Sequence, residues 1–237
     1  MNNQKILFVL TNHDRLGPAS DTSADKTGFH LAEAARPWAV LTEAGYAIDL
    51  ASPKGGKAPI DPSSRDLDDE VNARFMSDAN MASQIDNTHA LKDVQLGDYA
   101  AIYFPGGHGT MWDFPESDDI QSAIRTMYED GKVVAAVCHG PAAFVNVKLS
   151  DGSWFVNGKT LTTFTDEEER AVEKDSLMPF LLEEKLKSRG AKIAKAGNFE
   201  KSVSVDHRVV SGQNPASAQG VGEGIRDLLK EQKVKAA

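Results

Sequence analysis

Three observations predict an α/β fold with a mostly parallel sheet and helices on both faces. Short apolar runs recur along the 237-residue chain, among them KILFVL from Lys5, YAAIYF from Tyr99 and VVAAV from Val133. Unbroken runs of this kind suit strands covered on both faces. Segments with apolar residues at helical spacing separate the runs, and Gly, Pro or Asn marks most changes of element. Strands alternating with helices imply crossover connections and a binding crevice at the carboxyl ends of the strands. No repeat and no linker between two cores is visible, so one domain over residues 1–237 is expected.

Taken in order, Lys5 to Leu10 reads as a first buried strand, followed by a polar loop from Thr11 to about Lys26. Phe29 to Ala44 is helical, because Leu31, Ala34, Ala35, Trp38 and Leu41 share one stripe. Pro37 inside that stripe predicts a kink, and Gly45 a stop. Tyr46 to Ala51 is a second strand, Ser52 to Ser64 a loop, and Asp66 to Leu91 one or two mostly polar helices. Tyr99 to Phe104 is a strand running into the loop Pro105-Gly106-Gly107-His108-Gly109. Ser117 to Asp130 forms an amphipathic helix closed by Gly131. Asn157-Gly158 predicts a hairpin within Ser150 to Phe164. Glu167 to Arg189 reads as largely helical and stops at Gly190; Ile193 to Ala196 and Val203 to Val210 are late strands. Asn214-Pro215 opens a last helix to about Leu229.

The chain is organised around Lys132 to Asn146, KVVAAVCHGPAAFVN. A strand from Val133 to Val137 turns sharply at Cys138-His139-Gly140, and a helix opens at Pro141. Gly140 lets the chain turn without a Cβ clash. A thiol at such a corner stands near the positive end of the following helix, which favours thiolate. The corner resembles the nucleophile elbow of hydrolases with sulfur in place of a hydroxyl. A lone cysteine at a strand end is ordinarily a small core residue; the adjacent His139 and the Gly140-Pro141 turn favour the functional reading, since a plain core strand needs neither.

Composition bounds the function. A net charge of −9 argues against nucleic-acid binding, which needs a basic surface. One cysteine permits no internal disulfide. The N-terminal apolar run is too short for a signal sequence, and no stretch is long and apolar enough for a bilayer, so a cytoplasmic protein without membrane contact is expected.

PGGHG (Pro105 to Gly109), AAVCHGPAA (Ala135 to Ala143), TLTTFTDEEE (Thr160 to Glu169) and NPASA (Asn214 to Ala218) together resemble the ThiJ/PfpI superfamily. Within it the match is to the heat-shock-chaperone-like branch known as glyoxalase III. The resemblance implies a flavodoxin-like sandwich, a homodimer, and conversion of methylglyoxal or glyoxal without cofactor, metal or glutathione, as a lyase of the hydro-lyase type. It also implies holdase activity toward unfolded client proteins in some members. Carried onto this chain, Cys138 matches the nucleophile, His139 the catalytic histidine and Glu33 the carboxylate that contacts the sulfur. Glu169 matches the acid that orients the imidazole, with Asp166, Glu167 and Glu168 as alternatives. The backbone amides of Gly107 and His139 would receive the oxyanion, while Gly106 and His108 would line the substrate site.

Other residues carry less. His30 and Glu33 share a helix face at metal-ligand spacing, but two groups make no site. His13, His89 and His207 sit among polar residues, and Trp112 and Phe114 fit either a pocket wall or a core. A glutamine amidotransferase would carry a downstream histidine two residues before a glutamate, and His207 lacks that partner. A protein deglycase, an intracellular peptidase, and a stress holdase or redox sensor with an oxidisable Cys138 are the remaining rivals.

Overall fold

The computed structural model describes residues 4–236. In chain order its elements are β1 (Lys5–Val9), α1 (Leu31–Glu43), β2 (Ala47–Ser52), α2 (Glu70–Ser77), α3 (Ala79–Asp86), β3 (His89–Ala90), β4 (Tyr99–Phe104), α4 (Thr110–Asp113), α5 (Asp118–Glu129), β5 (Val133–Val137), β6 (Thr160–Leu161), α6 (Asp166–Ala171), α7 (Leu182–Ser188), β7 (Lys192–Ile193), β8 (Val203–Asp206), β9 (Val209–Gly212) and α8 (Ala218–Ala236). Seven strands form one sheet in the order β3-β2-β1-β4-β5-β9-β8, parallel except for β8 against β9.

Strand side chains alternate between two apolar layers, as the pleat requires. Ile6, Phe8, Ala101, Tyr103, Val133, Ala135 and Val137 pack with α1, α2, α3 and α8. Leu7, Val9, Ile102, Phe104, Val134 and Ala136 pack with α5 and α7. Helices therefore cover both faces, and the flavodoxin-like sandwich is the observed fold. β5 is an interior strand between β4 and β9, and all five of its residues are buried.

Pro37 lies inside α1, where its ring nitrogen has no hydrogen for the carbonyl of Glu33 one turn back. The Tyr103 hydroxyl donates to that carbonyl at 2.7 Å instead. A helix-breaking residue is thus tolerated because a buried tyrosine from β4 replaces the missing donor.

Several local expectations fail. Asn157-Gly158 turns, but Thr160–Leu161 pairs in parallel with Lys192–Ile193, so no hairpin forms there. The antiparallel bridge in this region is Lys148 with Trp154, around Asp151-Gly152. The predicted helix from Glu167 to Arg189 is two short helices, α6 and α7, separated at 172–181. Val203 to Val210 is two antiparallel strands turning at His207, whose φ is 52°. No helix among the described residues is long and apolar enough to cross a membrane.

Candidate active site

β5 runs directly into Cys138, which adopts φ 58°, a left-handed conformation that residues other than glycine rarely take. Three hydrogen bonds hold it there. Its N–H donates to the Gly212 carbonyl at 2.9 Å, and its own carbonyl accepts from Phe164 N–H and the Thr163 hydroxyl, each at 2.9 Å. The turn continues into the expected helix, which is a short 3-10 helix over Gly140–Phe144 with Pro141 in its first turn. Gly140 avoids a Cβ clash, as the sequence suggests: a Cβ there would strike the Phe104 carbonyl, while the left-handed residue of the turn is Cys138 itself.

The loop after β4 closes against this corner. Gly106 leaves no room for a side chain, since a Cβ would lie 2.6 Å from the His139 nitrogen and 2.8 Å from a Glu33 oxygen. Gly107 takes φ 104°. The Thr110 hydroxyl reaches both the Gly107 carbonyl at 2.9 Å and the His139 carbonyl at 3.0 Å, tying the two loops together.

Cys138, His139, Glu169, Glu33 and His108 converge here. His139 Nδ1 lies 3.3 Å from the Cys138 sulfur, and its Nε2 lies 2.6 Å from Glu169 Oε2. The second oxygen of Glu169 meets His108 Nε2 at 2.8 Å. Burial opposes ionisation of Glu169, but the two imidazoles outweigh it and hold its pKa well below the usual carboxylate range. An ionised carboxylate only accepts, so the proton of each imidazole sits on Nε2. The Nδ1 lone pair of His139 then faces the thiol as a base.

Among the four candidate acids, local geometry separates Glu169 from the rest. Thr165 and Glu168 form a reciprocal capping box at the start of α6, with Glu168 Oε2 accepting from Thr165 N–H at 2.9 Å. Glu168 Oε1 accepts from Phe199 N–H, Gln213 and Asn214, so this acid clamps the NPASA segment. Glu167 is exposed near Lys195, and Asp166 is paired through its N–H with Glu183. The Thr-x-x-Glu pattern at 165–168 was a readable signal for this division.

Glu33 is fully buried, with Oε2 accepting the Gly106 N–H at 2.7 Å. Oε1 has no well-aligned hydrogen-bond partner, although the carboxyl interacts with the Cys138 thiol. Burial pushes the Glu33 pKa up to about 8, so it keeps its proton at neutral pH. Burial also pushes the Cys138 thiol well up, and negative charge on Glu33 would push it further. The expectation of a resting thiolate is therefore corrected: desolvation outweighs the weak dipole of a single short helix, and the sulfur rests protonated. Its nearest base is the His139 ring.

The sulfur is not walled in. Cys138, 4% exposed, lines a cavity of about 200 Å³ together with Gly107, His108 and His139. Phe164, Phe199, Val172 and Pro215 supply apolar wall, and His30, Asp61 and Lys174 polar wall; apart from His30, these were not singled out in the sequence. The Gly107 N–H donates to no acceptor among the described residues, and the His139 N–H interacts with the sulfur. Trp112 and Phe114 do not wall this cavity: Trp112 stacks on His13 with centroids 5.0 Å apart, and Phe114 is core. His89 and His207 are exposed, while His13 is half-buried and bonded to the Gly17 carbonyl at 2.8 Å. The ligating atoms of His108, His139 and Glu169 lie within 4.8 Å of one another, but a cation would have to displace both imidazole–carboxylate hydrogen bonds.

A family model described as the DJ-1/PfpI family matches residues 25–226. The glutathione-independent glyoxalase HSP31 of Saccharomyces cerevisiae is 33% identical, over 96% of this chain and 98% of its own length. The crystal structure of glyoxalase III from Candida albicans superposes with a TM-score of 0.86 at 30% identity, covering 95% of this chain and 97% of that one. The Rapid Encystment Protein 24 KDa of Francisella tularensis superposes at 0.90 with 37% identity, covering 95% and 99%. With its elbow thiol, its glycine loop and these relatives along nearly its whole length, the chain belongs to the DJ-1/PfpI family.

Proposed function

We propose that this protein is a glutathione-independent glyoxalase of the glyoxalase III type, a lyase that converts methylglyoxal to lactate and also accepts glyoxal. The observation that carries the reading is the relay from sulfur to Nδ1 at 3.3 Å and from Nε2 to Glu169 at 2.6 Å, opening on a cavity of about 200 Å³. That volume suits a small molecule, below the size of common drug-like pockets. The relatives named glyoxalase support the same chemistry.

His139 takes the thiol proton through Nδ1, and the sulfur adds to the aldehyde carbon to give a hemithioacetal oxyanion. The Gly107 and His139 amides would stabilise that oxygen; losing one such donor typically costs about 3–4 kcal/mol of transition-state stabilisation. His139 returns the thiol proton to that oxygen, then carries the C1 proton to C2 through an enediol while the C1 hydroxyl proton passes to the C2 oxygen, which gives a lactyl thioester. Water hydrolyses the thioester, releasing lactate and the thiol. Glu169 keeps the imidazole in one tautomer and balances its transient positive charge. Protonated Glu33 donates to the sulfur, so the anion forms without a like charge beside it. A homodimer, cytoplasmic residence and a single domain belong to the same proposal.

The test is methylglyoxal consumption without glutathione, with D- or L-lactate measured as product. Wild type should turn over, and Cys138→Ala should lose at least about a thousandfold, in line with removal of a covalent nucleophile. Turnover that survives Cys138→Ala would sink the reading.

A further inference from the structure

The relay described above does not use His30, although its ring lines the same cavity. The His30 backbone N–H donates to the Gly106 carbonyl at 3.0 Å, which sets the residue beside the glycine loop at the start of α1. Its Nδ1 is closed off from solvent and has no hydrogen-bond partner. Nε2 makes no hydrogen bond among the described residues either, and His30 pairs with no carboxylate within ion-pair distance. Nδ1 is sealed off, so a ligand in the cavity reaches the ring through Nε2, which is accessible and unpartnered among the described residues, and an imidazole nitrogen left open on a cavity wall points to a ligand that completes it. Burial pushes the His30 pKa down to about 4, and nearby His108 and His139 add to the effect against the pull of Asp61. At neutral pH the ring is therefore uncharged, with one N–H to give.

We infer that His30 holds the second carbonyl oxygen of a vicinal dicarbonyl and so selects dicarbonyls over simple aldehydes at this site. The inference rests on the glyoxalase reading and deepens it. When His139 removes the C1 proton, the C1–H electron pair becomes the C1–C2 π bond. The π pair of the second carbonyl moves onto its oxygen, which becomes an enediolate oxygen. The His30 N–H hydrogen-bonds that oxygen and keeps its own proton; an uncharged imidazole polarises a carbonyl in this way. The proton on His139 then goes to C2, the hydroxyl proton on C1 passes to the second oxygen, and the thioester results. C1 is oxidised and C2 reduced within one molecule, so no outside oxidant or reductant enters.

The experiment compares the full-length protein with His30→Phe, which removes the donor, and His30→Asn, which keeps one. Protection of Cys138 from iodoacetamide is titrated with 2,3-butanedione, a dicarbonyl that has no C1 proton to lose, and with propanal, a monocarbonyl. Methylglyoxal turnover is followed in parallel. His30→Phe should weaken butanedione protection at least tenfold and lower methylglyoxal kcat similarly, while propanal protection and the alkylation rate of the free thiol stay unchanged. His30→Asn should recover most of both losses. Equal protection by butanedione in wild type and His30→Phe, or equal loss for both carbonyl ligands, overturns the assignment. If wild type shows selective butanedione protection but no methylglyoxal turnover, the glyoxalase reading fails and the dicarbonyl-binding role of His30 stands. If neither ligand protects the wild-type thiol, both fail.

Discussion

Glu33 and Glu169 are two buried carboxyls serving one cysteine–histidine pair, and their surroundings drive them in opposite directions. Both are desolvated, which favours the neutral form. Glu169 meets two imidazoles, at 2.6 and 2.8 Å, and stays ionised. Glu33 meets one backbone amide and a thiol, and its pKa rises to about 8. On the proposed mechanism one acid would serve as a fixed anion that orients a base, and the other as a proton donor toward a forming thiolate. Residue type alone carries neither role; the partners decide it.

Removing the fixed anion should have the larger effect. Glu169→Gln leaves His139 without a charged acceptor and frees its tautomer, so kcat should fall by about 10²–10⁴, the usual range for acid–base assistance. Single-turnover kinetics with methylglyoxal would reveal it, and a loss under threefold would dissolve the contrast between the two acids.

Altering the proton donor should change the pH profile more than the maximum. Wild-type kcat/KM should decline as pH rises through about 8, where Glu33 ionises beside the sulfur. Glu33→Gln still offers an N–H, so it should lose that alkaline limb while keeping activity within about tenfold at pH 7. A persistent limb near pH 8 in the variant would assign it to another group.

The same pair predicts opposite stability profiles. The folded pKa of Glu33 lies above its ordinary value of 4.5, so the folded state binds that proton more tightly than the unfolded state. Its contribution is complete below about 4.5 and is lost as pH rises toward 8. For Glu169 the folded pKa is depressed, so its contribution is present above the ordinary carboxyl range and lost as pH falls through acid values. Urea melts should show Glu33→Gln flattening the decline from pH 5 to 8, by an amount on the order of a few kcal/mol.

The smallest effect tests the scaffold under Glu33. Tyr103→Phe leaves the Glu33 carbonyl unpaired opposite Pro37, and should cost about 1–3 kcal/mol. Pro37→Ala in that background restores the helical N–H, so the double variant should recover part of the loss. Additive losses would show that Tyr103 acts through packing alone.

Much of this was legible in the sequence because its signals are local. The apolar runs of β4 and β5 carry their boundaries on their face, and strand–helix alternation implies the crevice at strand ends. Cys138, His139 and Glu169 came with recognisable neighbours. What failed depended on partners distant in sequence. Asn157-Gly158 favours a turn, but Gly158 N–H binds the Gly190 carbonyl at 2.9 Å, and Thr160 pairs with Lys192 rather than back along a hairpin. The charged stretch after Glu167 has helical composition, yet α6 stops at Ala171, Glu173 takes a left-handed φ of 58°, and α7 begins only at Leu182. In the sequence His30 shows only a metal-ligand spacing to Glu33 that makes no site, because nothing in its surroundings along the chain reveals an unpartnered ring in a cavity.

By itself the sequence determined the layering, the buried strand before the corner, the corner cysteine and the set of side chains available to it. Periodicity, turn chemistry and residue type act over a few positions, and these features need nothing more. Only the tertiary structure decided the protonation states: which acid stays charged, which keeps its proton, and that the sulfur rests as a thiol. Those depend on desolvation and on charges brought together from α1, β5 and α6, residues 33, 138 and 169, and electrostatics in a buried site responds to distance in space rather than along the chain.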